Sequence, residues 1–379
     1  MYAVSKRASG TTPFMVMEIL EKAQMMQKSG EDVIHLEVGE PDFDTPACVK
    51  DAAIKAIGEG KTKYTHSMGL PELREEISLY YKREYNVEVS PEQVIVTSGT
   101  SPAMLLIFAA VLESSDEVIM SNPYYACYPN FIRFFNANPR FVELSGSEGF
   151  ACKPGKINEK ISGKTKAVLV NSPSNPTGMV IEKETLKEIS ESDAVIVSDE
   201  IYHGLTYEGK AHSILEFTDD AFVLNGFSKK YAMTGWRLGY LIAPEEFIRP
   251  MQKIAQSFLI STCEFVQWAG ISALRCADGD VENMVRVYDK RRRFMVKRLQ
   301  KIGFGVQKTP GGAFYVLADA REFGDDSFKL ALEILDNTKV AVTPGIDFGS
   351  AAEGHIRFSY ANSLERIAEG MSRLEEFLK

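Results

Sequence analysis

Cysteine is scarce and unpatterned in this chain. Cys48, Cys127, Cys152, Cys263 and Cys276 are scattered over 379 positions, odd in number and without a C-x-x-C pair. Such spacing offers neither a disulfide framework nor a zinc site and fits a reducing compartment. Long apolar runs are also missing. The longest, Ala103 to Leu112, is about half of the ~20 residues that a membrane span requires. The opening MYAVSKRASGTTPF has no apolar stretch of signal-peptide length, so a cytoplasmic location is expected. Positive charge is not in excess: 43 Lys and Arg against 52 Asp and Glu give a formal net charge of -9. No global field draws in phosphate backbones or anionic lipid, and neither nucleic acid nor membrane is expected as a partner. The five histidines (35, 66, 203, 212, 355) show no ligand spacing, so no metal is expected. What is present, 45% hydrophobic and 25% charged residues with 28 Gly and 16 Pro, suits a folded chain of two domains, or one with an appendage, that needs no staple.

Short β-rich runs alternate with segments of helical period. Val94 to Thr97, Glu117 to Ser121, Arg140 to Leu144, Lys166 to Asn171, Ala194 to Asp199, Ala221 to Asn225 and Gly239 to Ala243 read as strands. Most are continuous Val/Ile/Leu runs, the pattern of strands buried on both faces of a mainly parallel sheet. Segments such as Ser101 to Leu112 and Glu182 to Ser192 read as covering helices, which makes the fold α/β with crossovers. Outside this block lie an amphipathic helix (Met15 to Lys28), a Gly/Pro/Asp loop, and, after Asp280, a long amphipathic helix with a basic run, Lys290 to Arg293. The run is expected to be a solvated face. The expected division is a large domain over 48–280, with 1–47 and 281–379 forming a smaller α+β domain.

Two GKT tripeptides, Gly60-Lys61-Thr62 and Gly163-Lys164-Thr165, invite a nucleotide reading, but the glycine a P-loop needs is Lys55 in one case and Asn158 in the other. Both read as turns. In open α/β sheets ligands sit beyond the carboxyl ends of the strands, so the residues just after each strand matter most. The first strand ends in Ser98-Gly99-Thr100-Ser101-Pro102 and enters a helix, a start that binds anions or is simply a capped turn. Asn122-Pro123-Tyr124-Tyr125 offers an aromatic to stack or to pack. Asn171 to Gly178 places two Asn in a Pro-rigidified turn. Asp199 ends a buried strand, with Tyr202 three residues on, and a buried carboxylate requires a partner. Gly226-Phe227-Ser228-Lys229 supplies an amine suited to Schiff-base chemistry, and Arg237, eight residues later, supplies the fork that phosphate prefers. Together these groups meet the needs of pyridoxal phosphate: phosphate contacts, a stacking ring, a donor for the phenolic oxygen, a carboxylate for the pyridine nitrogen, and a lysine.

The segment Gly226 to Gly239 (GFSKKYAMTGWRLG) resembles the lysine-attachment signature of class I and II aminotransferases of the fold-type I, aspartate aminotransferase-like group of pyridoxal-phosphate enzymes. Matching elements run along nearly the whole chain: Gly39-Glu40-Pro41-Asp42-Phe43, Tyr64 with Gly69 and Leu73-Arg74, Asn175-Pro176-Thr177-Gly178, Ser198-Asp199-Glu200-Ile201-Tyr202, and Ile356-Arg357-Phe358-Ser359-Tyr360. The resemblance implies a seven-stranded sheet and a role for each residue. Lys229 would form the internal aldimine and shuttle the substrate α-proton, with Lys230 a bystander. Asp199 would pair with the pyridine nitrogen, Tyr202 and Asn175 with the phenolic oxygen, and Tyr125 with the ring face. Gly99, Thr100, Ser101, Ser228 and Arg237 would hold the phosphate, helped by Tyr64 from a neighbouring subunit of a homodimer. Arg357 would clamp the substrate α-carboxylate, with Asn175 and Gly39 beside it.

Departures are equally concrete: Gly226 stands where many relatives have Ser or Thr, Tyr125 where many aspartate-specific members carry Trp, and no second Arg offers itself to a side-chain carboxylate. The expected activity is ping-pong transfer of an amino group from an L-amino acid to a 2-oxo acid. A carbon–sulfur β-lyase and a non-catalytic protein of the same fold are the alternatives.

Overall fold

A computed structural model of the chain describes residues 3–379. At its centre seven strands form one sheet: β1 (Val94–Thr97), β2 (Glu117–Asn122), β3 (Asn138–Glu143), β4 (Thr165–Asn171), β5 (Val195–Asp199), β6 (Ala221–Gly226) and β7 (Gly239–Ile242). The spatial order is β1-β7-β6-β5-β4-β2-β3. All neighbours run parallel except β7, which is antiparallel to both β1 and β6. The exception follows from chain length: Phe227–Leu238 contains no helix to carry a crossover, so the chain turns back beside β6. Every residue of β1, β6 and β7 is buried, as continuous apolar runs require, whereas edge strand β3 alternates and tolerates Pro139.

Helices cover both faces over two apolar clusters. A third cluster joins helices Met15–Lys28, Asp278–Ile302, Ser327–Thr338 and Leu364–Leu378 to a small sheet of Thr343–Pro344, His355–Ser359 and Tyr315–Asp319, and Ile201, Tyr202 and Leu205 bind it to the large sheet. Helix Met15–Lys28 buries Val16, Ile19 and Ala23, one face of a 3.6-residue period. Its first turn has no cap of its own; Asp347 accepts from the amides of Met15 and Val16, both at 2.9 Å.

The basic run departs from expectation. Lys290–Arg293 sweeps about 300° around the helix, so it cannot lie on one face, and Arg291 and Arg292 are buried. Arg292 donates to Pro310 O (2.5 Å), Asp289 (2.9 Å) and Glu208 (2.9 Å); Arg291 reaches Asp42 at 2.8 Å and so pins the loop that follows Gly39. Both GKT tripeptides are turns: one follows helix Ala47–Gly58 and the other leads into β4. No helix among the described residues is long and apolar enough to cross a membrane, and they contain no cluster of metal-ligating side chains.

Candidate active site

A cleft of ≈ 360 Å³ opens at the carboxyl ends of the large-sheet strands. It is lined by Thr100, Ser101, Tyr125, Asn175, Asp199, Tyr202, Ser228, Lys229, Arg237, Arg357 and Gly39. Of the residues singled out from sequence, Gly99 lies just behind the wall. Tyr64 is elsewhere on the surface, 82% exposed.

The cleft's anion-binding end is built by close backbone approach. Gly99 has φ +96°, and a Cβ there would lie 2.5 Å from an Arg237 guanidinium nitrogen, so only glycine lets Arg237 reach the start of helix Thr100–Val111. Gly226 has a similar reason: a Cβ would come within 3.0 Å of Gly239 Cα and of Leu238 O. A Ser or Thr Cβ would press on both of these backbone atoms, and Ser228 is the hydroxyl that lines the cleft instead.

Asp199 ends β5 with its carboxylate buried. Tyr128 Oη donates to Oδ2 at 2.7 Å and the Ile201 amide to Oδ1 at 3.1 Å. Burial pushes its pKa up to about 6 against those two hydrogen bonds and the charge of Lys229. Asn171 fixes the floor: its side chain donates to Asp199 O (3.0 Å) and accepts from the Asn175 amide (2.9 Å). Tyr202 shares a hydrogen bond with Tyr315 at 2.9 Å, and burial raises its pKa well above the ordinary phenol value. Burial also depresses Lys229, to about 8, so that its amine is largely neutral at mildly alkaline pH. Lys229 Nζ donates to Gly39 O at 2.5 Å.

At the opposite end Arg357 donates to Asn175 Oδ1 (2.9 Å), Glu37 O (2.7 Å) and Thr343 Oγ1 (3.1 Å), while its buried Nε has no partner among the described residues.

The sequence does not single out Tyr128, Tyr315 or Glu37, and it offers Asn171 only as one of two Asn in the turn. Tyr128 lies 71 positions from Asp199, and only a reading that extended past Tyr125 into the following helix would have singled it out. Asn171 opens that turn, and the resemblance assigns a role to Asn175 alone. Tyr315 opens the small-sheet strand Tyr315–Asp319 and Glu37 lies in a bend just after the strand Ile34–His35, both away from the carboxyl ends of the large sheet.

A model of the family "Aminotransferase class I and II" matches residues 31–374. The chain belongs to that family. It is 42% identical to the (5-formylfuran-3-yl)methyl phosphate transaminase of Methanocaldococcus jannaschii, over 99% of both chains. It is 39% identical to the aspartate aminotransferase of Pyrococcus horikoshii, over 100% of this chain and 98% of that one. Among solved structures, Thermus thermophilus aspartate aminotransferase with maleate superposes with a TM-score of 0.95 at 39% identity, covering 99% of this chain and 100% of the other. A Methanococcus jannaschii protein described as similar in its active site to kynurenine aminotransferases gives 0.93 at 42% identity, with full coverage of both. The architecture of this aminotransferase is accordingly fold-type I, as expected from its sequence. Its activity is amino-group transfer, and these relatives lend no support to the β-lyase or the non-catalytic reading.

Proposed function

We propose that the cleft holds pyridoxal 5'-phosphate and that the enzyme moves an amino group from an L-amino acid to a 2-oxo acid by a ping-pong cycle. The observation that carries this reading is Asp199, a buried carboxylate whose only close partners are one phenol and one amide and which no cation pairs among the described residues. A cationic ring N–H is what such a group lacks. The cradle at Gly99, which a Cβ would fill, and the orphaned Arg357 Nε support the phosphate and carboxylate ends of the same reading.

When bound, pyridoxal phosphate supplies a carbonyl carbon and an electron-withdrawing ring. The chain's own residues do the rest. Arg237, Thr100, Ser101, Ser228 and the amides at the start of helix Thr100–Val111 hold the phosphate against the positive end of that helix. Asp199, oriented by Tyr128, holds a proton on the ring nitrogen. Tyr125 would lie against the ring, and Asn175 and Tyr202 would donate to the phenolic oxygen. Arg357 anchors the substrate α-carboxylate with Nε still free to donate, fixing which Cα bond faces Lys229. Lys229 would take the α-proton and return it to the former carbonyl carbon on the far side of the amine nitrogen, a task suited to an amine whose pKa is lowered by burial. Gly39 O must give up Lys229 for this.

Tyr64 we assign to the neighbouring active site of a homodimer; its exposure, alongside exposed Phe258 and Ile260, supports a face that a second copy covers. The division into 48–280 and the flanking 1–47 and 281–379, whose first two residues lie outside the described ones, is part of the same reading, with the cleft between the units. The five unpaired cysteines support a reducing, cytoplasmic setting.

The test is a visible absorption spectrum of purified enzyme with excess cofactor, recorded before and after adding single L-amino acids without oxo acid. The band of lysine-bound cofactor is expected to convert to that of the aminated cofactor. Absence of any band, or full activity in Lys229→Ala, would refute the assignment.

A further inference from the structure

One wall of the cleft carries a charged group that the proposed chemistry does not use. Glu37 lines the cleft, yet its side chain is 1% exposed. Its Oε1 is taken by His35 Nδ1 at 2.6 Å, while Oε2 is buried without a partner among the described residues. The placement follows from the extended backbone, which runs from the strand Ile34–His35 through Leu36, its amide held by Ala341 O, to a bend at Glu37. Ile34 and Leu36 point at helix Leu364–Leu378, where each lies 3.4 Å from the position of a Cβ on Gly370, so His35 and Glu37 share the opposite side. The backbone there is firmly held: Glu37 O accepts from Arg357 and from Thr343 Oγ1 (3.2 Å), and Leu36 O from the Ser359 amide (2.7 Å).

An unpaired buried carboxylate oxygen is costly, and a site that binds something is where that cost is recovered. The constant part of an amino acid does not satisfy it. The α-carboxylate is an acceptor and goes to Arg357; the α-amine goes to the carbon that Lys229 presents. What is left is the variable side chain. The same cleft has an apolar stretch of wall, made by Phe14, Val16, Met17 and Leu20. The other ionisable group there, Glu40, is also an acid and is engaged by Thr234 Oγ1. No cation beyond Lys229, Arg237 and Arg357 lines the cleft among the described residues.

We infer that Glu37 is a specificity-determining residue, its side chain turning to present Oε2 to the cleft and accept a hydrogen bond from the substrate side chain, and that the preferred amino acids have large uncharged side chains bearing a donor such as a phenol, an indole N–H or an alcohol. The inference rests on the aminotransfer reading of the cleft. A second substrate carboxylate would meet Glu37 and Glu40 rather than a cation of the same chain, which disfavours dicarboxylic amino acids.

The experiment uses holoenzyme and two readouts. The first is calorimetric binding of non-reacting acid pairs that differ in the donor: 3-(4-hydroxyphenyl)propionate against 3-phenylpropionate, indole-3-propionate against its N-methyl derivative, and 4-hydroxybutanoate against pentanoate, with succinate as the dicarboxylate. At least one donor-bearing acid is expected to bind roughly 10-fold or more tightly than its partner, as a charged acceptor implies. Glu37→Met should erase that preference while leaving the donor-free acid within about 2-fold, and Glu37→Gln, which keeps an acceptor oxygen, should restore part of it. The second readout is conversion of the cofactor band by the corresponding amino acids. Equal binding within every pair, as an oxygen that merely holds water would give, overturns the inference, as does equal loss for both members in Glu37→Met, or succinate binding best. Discrimination that persists without any band conversion leaves the inference standing and overturns the aminotransfer reading instead. Melting curves of both variants establish that they are folded.

Discussion

Lys229 and Lys230 follow one another just after β6, and their amines end in different surroundings with different acidities. Lys229 faces the cleft, where burial pulls its pKa down to about 8 and a backbone carbonyl is its hydrogen-bond acceptor. Lys230 turns the other way. Its stem packs on Gly204, where a Cβ would lie 2.7 Å from Cδ. Its amine lies 4.5 Å from the Tyr80 ring centroid and 5.2 Å from that of Tyr231, and it donates to Tyr80 Oη at 3.3 Å. Burial would lower its pKa too, but the oxygens of Tyr80 and Tyr231 and the carboxylate of Glu84 outweigh it and hold the group charged. Burial therefore does not by itself make a lysine a nucleophile. The neighbours decide, and an aromatic cage conserves the charge that a cleft removes.

Substitutions that exchange these roles test the contrast most severely. Lys229→Ala should lower turnover by roughly 10³-fold or more, because the proton-transfer group is gone, whereas Lys230→Ala should leave turnover within a few-fold; steady-state kinetics of both variants checks this. Next in size, Arg357→Ala should cost about 10²-fold in kcat/KM for the amino acid with little change in cofactor affinity, since charge-assisted hydrogen bonds to substrate are lost. Equal loss of both affinities would remove Arg357 from the carboxylate end. Lys230→Met should then lower unfolding free energy by about 1–3 kcal/mol, because Tyr80 Oη loses its donor and the cage its cation; denaturant titration measures it, and a stability unchanged within error would mean the cage does nothing.

The acidities differ in a way that pH can expose. In cofactor-free enzyme Lys229 has a folded pKa below the unfolded value of 10.5. Between about 8 and 10.5 the unfolded chain holds the proton and the folded chain does not, so this group's contribution to stability rises with pH across that window. Wild type should gain stability relative to Lys229→Met as pH is raised from 8 to 10.5, and labelling of Lys229 by an amine-specific acylating reagent should titrate with a midpoint near 8. Asp347→Ala is the mildest of these changes, about 1 kcal/mol for a lost helix cap, read by thermal melting. It should raise KM for apolar substrates more than it lowers kcat, because Phe14 and Met17 sit on the helix start that Asp347 holds.

The seven strands and their order of chemistry were legible because β1, β4, β5 and β6 are unbroken Val/Ile/Leu runs ending in polar residues, and a strand buried on both faces leaves no other pattern. The lysine pair was legible only in part. Spacing to Arg237 distinguishes Lys229 from Lys230, but the Tyr80 cage, 150 positions away, leaves no local trace. The same holds for Tyr128 beneath Asp199 and for Glu37, whose meaning depends on His35 filling one oxygen and nothing filling the other. The basic run misled because composition does not carry phase: four consecutive charges wrap a helix, and two of them had to find acids and a carbonyl inside.

Asp347 and the pairing of Ile34–His35 with Val340–Ala341 also bear on synthesis at the ribosome. The large sheet is complete once Ile242 has emerged, but the substrate-facing helix has nothing to dock on until about a hundred residues later, on the order of ten seconds at ordinary elongation rates. For that interval Ile34–His35 lacks the strand it pairs with and helix Met15–Lys28 lacks the carboxylate that caps it. The part of the enzyme that would choose its substrate is thus the part most exposed to chaperones, to misassembly and to nascent-chain proteolysis.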